Sequence, residues 1–218
     1  RQRQRRRLTV TTNVIERTLI MARMDPLPHD ASGDAELEAS FAHFMSTLGM
    51  VPNSLLTMQR VPAIAKATIQ FNRAVFAADS KVDLGLKRLV GHMASAAAGC
   101  QYCKAHTAVS ATRAGIDEQK MEAMWEYETS PLFDDRERAA LDFAFAAGQV
   151  PNGVTDAIYS TLEDHWSEEE IVEILGVICM FGVFNRWNDS MATALEEDAI
   201  AVAQPLLNNQ GWEVGKHA

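Results

Sequence analysis

Cysteine is scarce in this chain of 218 residues, and its scarcity excludes one class of protein. The three cysteines lie at positions 100, 103 and 179, and they are too few to staple a small secreted fold through disulfides. Two of them, Cys100 and Cys103, lie close together in the sequence. Because a thiol pair that cycles between reduced and oxidised forms suits a reducing compartment, we expect a cytoplasmic protein.

The chain also lacks a long apolar run and an excess of positive charge. The longest apolar run, residues 171–184, contains Glu173 and is shorter than the roughly 20 residues that span a membrane. The formal net charge is −9 and the isoelectric point is about 5.1, which argues against a nucleic-acid-binding protein. We therefore expect neither a membrane nor a nucleic acid as a partner.

No segment alternates apolar and polar residues for long enough to predict a β-strand, and no repeat of fixed period is visible. Apolar residues instead recur at helical spacing, in segments that end at glycine or proline. Each of these segments begins close to a residue type that caps helices, namely Asp34, Asn53, Asp117, Asp134 and Thr155. The pattern predicts an all-α fold with a core of ordinary size.

One segment near the C-terminus is predicted to be the central helix. Ser167 and Glu170 form the Ser-x-x-Glu pattern of a capping box, and the residues from 171 to 187 are apolar on almost every side. A helix that is apolar all round is typically buried. We therefore predict a helical bundle packed around this buried central helix, with Cys179 as an inert core residue.

The start of the chain differs from the rest in composition. Residues 1–7 carry arginine at five positions and no acidic residue, and charges of one sign repel one another. No apolar h-region follows, so the segment is not a secretory signal; a targeting peptide or a nucleic-acid arm stays open. We expect residues 1–24 to be a disordered extension, or sequence ahead of a natural start at Met21 or Met24, and residues 25–218 to form a single domain.

The chemistry is concentrated between Gly99 and His106, in the sequence Gly-Cys-Gln-Tyr-Cys-Lys-Ala-His. If a helix begins after Gly99, Cys100 lies at its start, where free N–H groups and the helix dipole stabilise a thiolate. Cys103 and His106 are then neighbours on one helix face. The imidazole can accept the thiol proton, or as an imidazolium it can stabilise the thiolate. This arrangement predicts thiol redox chemistry, in which one thiolate attacks and the other resolves the product.

Two other interpretations of the cysteine pair stay open. The cysteines could be small buried hydrophobic residues, since free cysteine is often buried. They could also belong to a zinc site, whose ligands would be Cys100, Cys103, His106 and His92. Because their spacing is tighter than that of a zinc ribbon and the chain has one CxxC motif, we predict no metal and no bound cofactor.

These residues resemble the carboxymuconolactone decarboxylase superfamily, and most of all its alkylhydroperoxidase D-like (AhpD-like), peroxidase-related branch. The resemblance rests first on residues 99–107, which follow a helix of small residues. It continues in Trp-Glu-Tyr-Glu-Thr-Ser-Pro-Leu-Phe at 125–133, Ala-Ala-Gly-Gln-Val-Pro-Asn at 146–152 and Phe-Asn-Arg-Trp-Asn-Asp at 184–189. It extends from about residue 25 to the C-terminus.

The resemblance implies an all-helical AhpD-like bundle that assembles as a homo-oligomer, whether dimer, trimer or hexamer. Redox-active members of the family reduce hydroperoxides with the CxxC pair; some take electrons from a lipoyl group on a partner protein, and some support a peroxiredoxin. For this chain it implies a hydroperoxide substrate and a redox-active disulfide between Cys100 and Cys103. It also implies an external dithiol reductant, lipoyl-like or carried by a lipoyl-bearing protein.

The sequence departs from the family pattern at two positions. The family places a glutamate twelve residues before the first cysteine, where this chain has Arg88, and its histidine four residues after the second cysteine, whereas His106 is three after. We expect His92 to take the place of the glutamate, or Arg88 to act through its charge. Tyr102, between the cysteines, and Asn188, in the last motif, are further candidate supporting residues.

The sequence therefore predicts a thiol peroxidase with an antioxidant role. A thiolate attacks the peroxide and becomes a sulfenic acid, and the second cysteine then condenses with this sulfenic acid. The helix-start position favours Cys100 as the attacking thiol, whereas His106 and the resemblance favour Cys103, which we prefer. Two other functions stay open. One is a lyase or isomerase like the family's decarboxylases, which work without a redox CxxC; the other is a non-enzymatic thiol–disulfide sensor, which the missing glutamate keeps open.

Overall fold

The computed structural model describes residues 22–218. The Arg-rich stretch over 1–21 lies outside the described residues, so the expectation that it is disordered stays a prediction. Residues 22–218 form ten α-helices and no β-strand, which confirms the all-α class. No helix in this part of the chain is both long and apolar enough to cross a membrane.

The helices follow one another with short connections. Their bounds are α1 Ala35–Leu48, α2 Asn53–Met58, α3 Pro62–Val75, α4 Leu84–Ala97, α5 Gln101–Arg113, α6 Glu118–Glu122, α7 Asp135–Gly148, α8 Asp156–Glu163, α9 Glu168–Met191 and α10 Glu197–Leu206. Short 3-10 turns lie at Ala123–Glu126, Asn208–Gln210 and Gly215–His217.

Most helices begin at the caps that the sequence predicts. The side chains of Asp34, Asp134 and Ser167 each accept a hydrogen bond from a backbone N–H in the first turn, and the last two form complete capping boxes. The predicted cap at Asn53 is wrong: Asn53 is the first residue inside α2, and its side chain donates to the Ala194 carbonyl instead. A long-range contact therefore replaces the local one at this helix start.

The small-residue end of α4 allows two helices to approach closely. Gly148 of α7 lies against α4, so that a Cβ at this position would be 2.9 Å from the Ala94 carbonyl oxygen and 3.0 Å from the Cβ of Ala97. Any larger side chain at 148 would push the two helices apart. This contact holds α4, and with it the connection into α5, against the main core.

The long helix α9 packs against α3, α4, α5 and α7, and residues such as Ile174 and Val177 on it are fully buried. Within one chain, however, one face of α9 is left uncovered, and the prediction that Cys179 is a core residue is wrong. Val172 is 69% exposed and Val183 is 47% exposed, and Cys179 between them is exposed and not in the core. Among the described residues no helix packs over this face, which leaves an apolar stripe on the outside.

A smaller second core forms from α1, α2 and α3. It is built from residues such as Leu37, Phe41 and Met58, and it contacts α9 through Phe184 and Trp187. The Trp187 indole N–H donates to the Thr57 hydroxyl at 2.8 Å, which fixes the small core to α9. A cleft is left between the small core and the main one, and it holds the candidate site.

Candidate active site

The first cysteine lies at the break between α4 and α5. Gly99 has a φ of +73°, a conformation that favours glycine and that turns the chain out of α4. Cys100 follows as the N-cap of α5, and its sulfur accepts a hydrogen bond from the Cys103 backbone N–H at 3.4 Å. Both cysteines are buried. The two thiols therefore lie about one turn apart at the start of the same helix, and their sulfurs have different surroundings.

Cys103 faces the cleft between the two cores, which has a volume of about 630 Å³. Four other residues named by the sequence analysis line the same cleft: Arg88, Tyr102, His106 and Asn188. Its walls are otherwise largely apolar and include Phe44, Leu55, Ile69, Phe181 and Phe184. Cys100 does not line it, so a molecule in the cleft meets Cys103 first.

The environment of Cys103 holds its thiol in the neutral form. Burial, followed by the neighbouring Cys100, raises the pKa of Cys103 well above the ordinary value of a thiol. The Asn188 side-chain N–H points at the Cys103 sulfur at 3.6 Å and acts in the opposite direction. Because a neutral thiol is a poor nucleophile, chemistry at Cys103 needs a group that accepts its proton.

His106 is held by a carboxylate that the sequence analysis did not identify. Glu196, the N-cap residue of α10, accepts hydrogen bonds from His106 Nε2 at 2.7 Å, from the Tyr102 hydroxyl at 3.0 Å and from the Asn53 backbone N–H at 2.6 Å. The Tyr102 and His106 rings stack with their centroids 4.5 Å apart. Since a carboxylate only accepts, Nε2 carries the proton and Nδ1 of the neutral imidazole has a free lone pair.

The Glu196 carboxyl is ionised at neutral pH. Burial raises its pKa, but the hydrogen bond from His106 and the other donors outweigh burial and lower the pKa below the ordinary value of a glutamate. Glu196 therefore brings an acidic side chain to the site from the far end of the sequence, although the position of the family glutamate holds Arg88. Nothing in the sequence marks Glu196 for this role, because acidic residues at a helix start are common and favoured by the helix dipole.

His92, the expected replacement for that glutamate, lies outside the cleft. It is buried between α4 and α5, and its Nδ1 donates to the Thr107 hydroxyl at 2.8 Å, which in turn donates to the Cys103 carbonyl. Burial, with the charge of Lys104 as a smaller cause, lowers the pKa of His92 to about 4. His92 is therefore neutral and joins the two helices that position Cys103, and it does not line the cleft.

Arg88 reaches the cleft from α4. Its guanidinium carbon lies 3.7 Å from the centroid of the Phe76 ring, a cation–π arrangement. Burial lowers the pKa of Arg88 to about 10, so the side chain stays charged at neutral pH. It brings a positive charge to the cleft that holds Cys103, and it cannot act as a base there.

Cys100 faces a second group of polar residues near the C-terminus. The Cys100 sulfur, a carboxylate oxygen of Asp189 and a ring nitrogen of His217 all lie within 4.8 Å of one another. His217 Nδ1 donates to the Thr193 carbonyl at 2.8 Å, so Nε2 is unprotonated in the neutral ring; it lies 3.5 Å from Asp189 Oδ1. His217 could not be identified from the sequence, because nothing in the short C-terminal tail indicates that it folds back onto α5.

The zinc ligands considered from the sequence do not come together as a set. Within residues 22–218, the one group of three or more metal-binding side chains at suitable distances consists of Cys100, Asp189 and His217. Three ligands make an incomplete set for a structural zinc ion, which takes four protein ligands. The arrangement offers Cys100 a neighbouring imidazole and carboxylate instead.

Comparisons with known proteins place these features in a family. A model of the carboxymuconolactone decarboxylase family matches residues 62–146, from the start of α3 to near the end of α7. Uncharacterized protein YnjA of Escherichia coli is 29% identical over 112 residues, which is 51% of this chain and 62% of YnjA. The chain thus matches less than two thirds of the length of that relative.

Among solved structures, the debrominase Bmp8 is 33% identical, with a TM-score of 0.76 over 84% of this chain and 97% of Bmp8. A cysteine-to-alanine variant of Bmp8 has been solved in complex with 2,3,4-tribromopyrrole. An uncharacterized peroxidase-related protein from Ralstonia eutropha JMP134, described as an alkylhydroperoxidase AhpD core, is 19% identical. Its TM-score is 0.72 over 83% of this chain and 97% of that protein, and it shares the fold.

Proposed function

Because the chain belongs to the carboxymuconolactone decarboxylase family, we propose that it is a thiol-dependent hydroperoxide reductase of the AhpD-like type. The observation that carries the proposal is the arrangement around Cys103. This thiol faces a cleft of about 630 Å³ that His106 also lines, and the Glu196 carboxylate holds the His106 ring. A buried thiol, a neighbouring imidazole with one free nitrogen and a carboxylate behind it together form a nucleophile with its base.

The first step takes place at Cys103. His106 accepts the thiol proton at Nδ1, since Nε2 already carries the proton that it donates to Glu196. The thiolate attacks one oxygen of the hydroperoxide, the O–O bond breaks, and Cys103 becomes a sulfenic acid. The departing alkoxide takes the proton from His106 and leaves as an alcohol, so that the imidazole is neutral again.

The second step takes place at Cys100. Its sulfur attacks the Cys103 sulfenic acid, a disulfide forms, and the hydroxyl group leaves as water with the Cys100 proton. His217 Nε2 accepts that proton first, because Nδ1 carries the proton donated to the Thr193 carbonyl and the ring lies close to the Cys100 sulfur. The Asp189 carboxylate, 3.5 Å from Nε2, stabilises the imidazolium that forms. The two cysteines thus use two different histidines.

His217→Gln is expected to slow disulfide closure by about 10²-fold, the scale of losing a general base, while the first step at Cys103 keeps its rate. Rapid mixing with peroxide, followed by trapping of the sulfenic acid with a dimedone-type probe, measures the two steps separately. His165→Gln, which changes an exposed histidine in the turn after α8, is the control. Equal slowing of both steps would show that His217 has a structural role only.

The reductant is proposed to be a dithiol of the lipoyl type, free or carried by a partner protein in a reducing, cytoplasmic compartment. Both sulfurs of the Cys100–Cys103 pair are buried, so a bulky protein surface cannot reach them directly. A dithiol on a narrow flexible arm can enter the cleft and attack the Cys103 sulfur. It then closes its own disulfide and returns two electrons and two protons to the cysteine pair.

Steady-state consumption of an organic hydroperoxide with dihydrolipoamide tests the proposed function. We expect turnover by the reduced wild type and none by a variant with both Cys100→Ser and Cys103→Ser. Disulfide formation in the wild type without turnover would favour the thiol–disulfide sensor. Lactone decarboxylation or isomerisation that survives in the double variant would favour the family's lyase class.

A second candidate function is reductive dehalogenation of an aromatic compound. It is favoured by the 33% identity to the debrominase Bmp8 over 84% of this chain and by a cleft that is large for a small peroxide. The Cys103 thiolate would take the halogen and the ring carbon would take a proton; Cys100 would then displace the halide and form the same disulfide. Release of bromide from 2,3,4-tribromopyrrole in the presence of a dithiol separates this function from peroxide reduction.

A homo-oligomer is part of the proposal. Val172, Leu175, Cys179 and Val183 lie on one exposed face of α9 at helical spacing, and an apolar stripe of this kind is typical of a protein–protein interface. We propose that a second copy of the chain covers it.

Val183→Glu is expected to shift the protein to a monomer in sedimentation velocity at micromolar concentration. Val61→Glu, which changes an equally exposed valine elsewhere, is expected to leave the oligomer intact. A monomeric wild type would contradict this.

A further inference from the structure

Arg88 is a half-buried cation in the cleft, and it has no hydrogen-bonding or ion-pair partner among residues 22–218. The guanidinium group is a donor at every N–H, yet within the part of the chain that the structure describes its Nε is buried and bonded to nothing. Its other nitrogens take part in none of the hydrogen bonds or ion pairs found in that part. A guanidinium with a buried, unpaired N–H normally pairs with a carboxylate or phosphate.

The contact with Phe76 leaves the donor edge of Arg88 available. The guanidinium carbon lies 3.7 Å from the ring centroid, so the flat face of the group is against the ring. The N–H bonds lie in the plane of the guanidinium and point away from the ring contact. The cation–π contact offsets part of the desolvation of the charge, and the planar N–H edge is suited to two parallel bonds to a carboxylate.

The charges that line the cleft favour an anion over a cation. Arg88 and Arg113 are positive, Asp198 is negative, and the neighbouring Glu196 already accepts three hydrogen bonds from protein groups. Arg113 and Asp198 are exposed, whereas Arg88 is half-buried in a cleft whose walls are largely apolar. The cleft therefore combines an unpaired, half-buried cation with a largely apolar surface that also includes the Cys103 thiol.

We propose that Arg88 is the anion-binding residue of the cleft, and that the substrate is an apolar molecule bearing a carboxylate that Arg88 binds through two parallel hydrogen bonds. The apolar body of the substrate lies along Phe181, Phe184 and Ile69. Its reactive end reaches Cys103. That the bound molecule reacts there rests on the proposed function, whereas the binding of the carboxylate does not.

Equilibrium binding tests the site without any turnover. Isothermal titration calorimetry of reduced wild type should show that dodecanoate binds, and that 1-dodecanol, which has the same apolar chain, binds at least about 10-fold more weakly, the scale of losing a charge-assisted hydrogen bond. Arg88→Met should remove this preference and leave the binding of 1-dodecanol within about twofold. Arg73→Met, which removes an exposed arginine of α3 outside the cleft, should change neither.

A conservative variant and measurements of folding separate a loss of carboxylate binding from a loss of the fold. Arg88→Lys keeps the charge but not the planar pair of donors, so it should keep a reduced preference for dodecanoate. Far-UV circular dichroism and thermal melts show which variants are folded, and binding is compared among those. Dodecanoate binding that is unchanged in folded Arg88→Met, or a wild type that binds the acid and the alcohol equally, would overturn the proposal.

Turnover then connects the site to the reaction. The ratio of kcat/KM for linoleic acid hydroperoxide to that for its methyl ester should exceed 1 in wild type and fall about 10-fold or more in Arg88→Met, mainly through KM. If wild type reduces neither hydroperoxide while dodecanoate binding still depends on Arg88, the proposed function fails and the anion site stands. Reduction of both with equal efficiency in wild type and Arg88→Met would show that the substrate does not use the site.

Discussion

Cys103→Ser is expected to abolish peroxide reduction, whereas Cys100→Ser should still consume one equivalent of peroxide and then stop. The difference follows from where the sulfurs point. Cys103 lines the cleft beside His106, and Cys100 does not. A serine at position 103 leaves no nucleophile that a bound hydroperoxide can reach. A serine at position 100 leaves the first step intact but removes the thiol that condenses with the sulfenic acid.

Mass spectrometry after a brief exposure to equimolar peroxide measures this difference. Wild type should lose two mass units through the Cys100–Cys103 disulfide, and Cys100→Ser should carry a probe-trappable sulfenic acid at Cys103. Cys179→Ser is the control. Because Cys179 is exposed on α9, it can react slowly by itself, but its loss should leave turnover unchanged. A sulfenic acid on Cys100 in the Cys103→Ser protein, with continued turnover, would show that Cys100 is the attacking thiol and would contradict the proposal.

The sequence predicts the parts of the site that depend on neighbours along one helix. Gly99 as a break, Cys100 at the helix start and Cys103 with His106 on one face all follow from helical spacing, and the structure places these residues accordingly. The same local reasoning predicts the capping box at Ser167 and a helix start at Asp134, where the structure also forms a complete box. Such features depend on a few consecutive residues, and they form in the same way whatever the rest of the chain does.

The parts that the sequence did not predict depend on contacts between distant segments. Glu196 reaches His106 across 90 positions of sequence, and His217 reaches Cys100 from the last turn of the chain. The exposed face of α9 was missed for a similar reason. The apolar character of that helix can be seen in the sequence, but which of its faces another part of the chain covers is decided by packing.

Arg88 shows why a substitution at a known position is hard to interpret without the structure. The loss of a glutamate there suggested a defective proton relay, with His92 as its replacement. The structure places His92 outside the cleft and supplies the carboxylate from α10 instead. The position of Arg88 is then free for a different use, because the carboxylate that orients His106 no longer has to come from α4.

His106→Ala should slow the first step by about 10²-fold or more, the scale of losing a general base. Glu196→Gln should produce a smaller loss in the same step, since the imidazole stays but is no longer held by a carboxylate with its proton fixed on Nε2. The rate of sulfenic acid formation at Cys103, measured in single turnover, reports both effects. Glu197→Gln is the matched control, because it neutralises an exposed neighbour at the same helix start.

The stability of the Glu196→Gln protein tests whether the Glu196 carboxylate stabilises the fold through the hydrogen bonds that it accepts. The pKa of Glu196 is lowered in the folded state, so the carboxylate stabilises the fold above its unfolded-state pKa of about 4.3. Wild type should therefore exceed Glu196→Gln in free energy of unfolding at pH 7 by about 1.5–3 kcal/mol, the range for a hydrogen bond to a charged group. That advantage should shrink as the pH falls below about 4 and the folded carboxyl becomes protonated.

Urea unfolding at pH 7 and at pH 3.5 measures the free energy of unfolding of wild type, Glu196→Gln and Glu197→Gln. A Glu196→Gln protein that is as stable as wild type at pH 7 and forms sulfenic acid at the wild-type rate would remove the carboxylate from the mechanism. His106 would then act through a tautomer that its own surroundings select. A Glu196→Gln protein that is less stable than wild type but forms sulfenic acid at the wild-type rate would show that the carboxylate only stabilises α10. If Glu196 fixes the proton on His106 Nε2 for catalysis, the rate must fall when the carboxylate is removed.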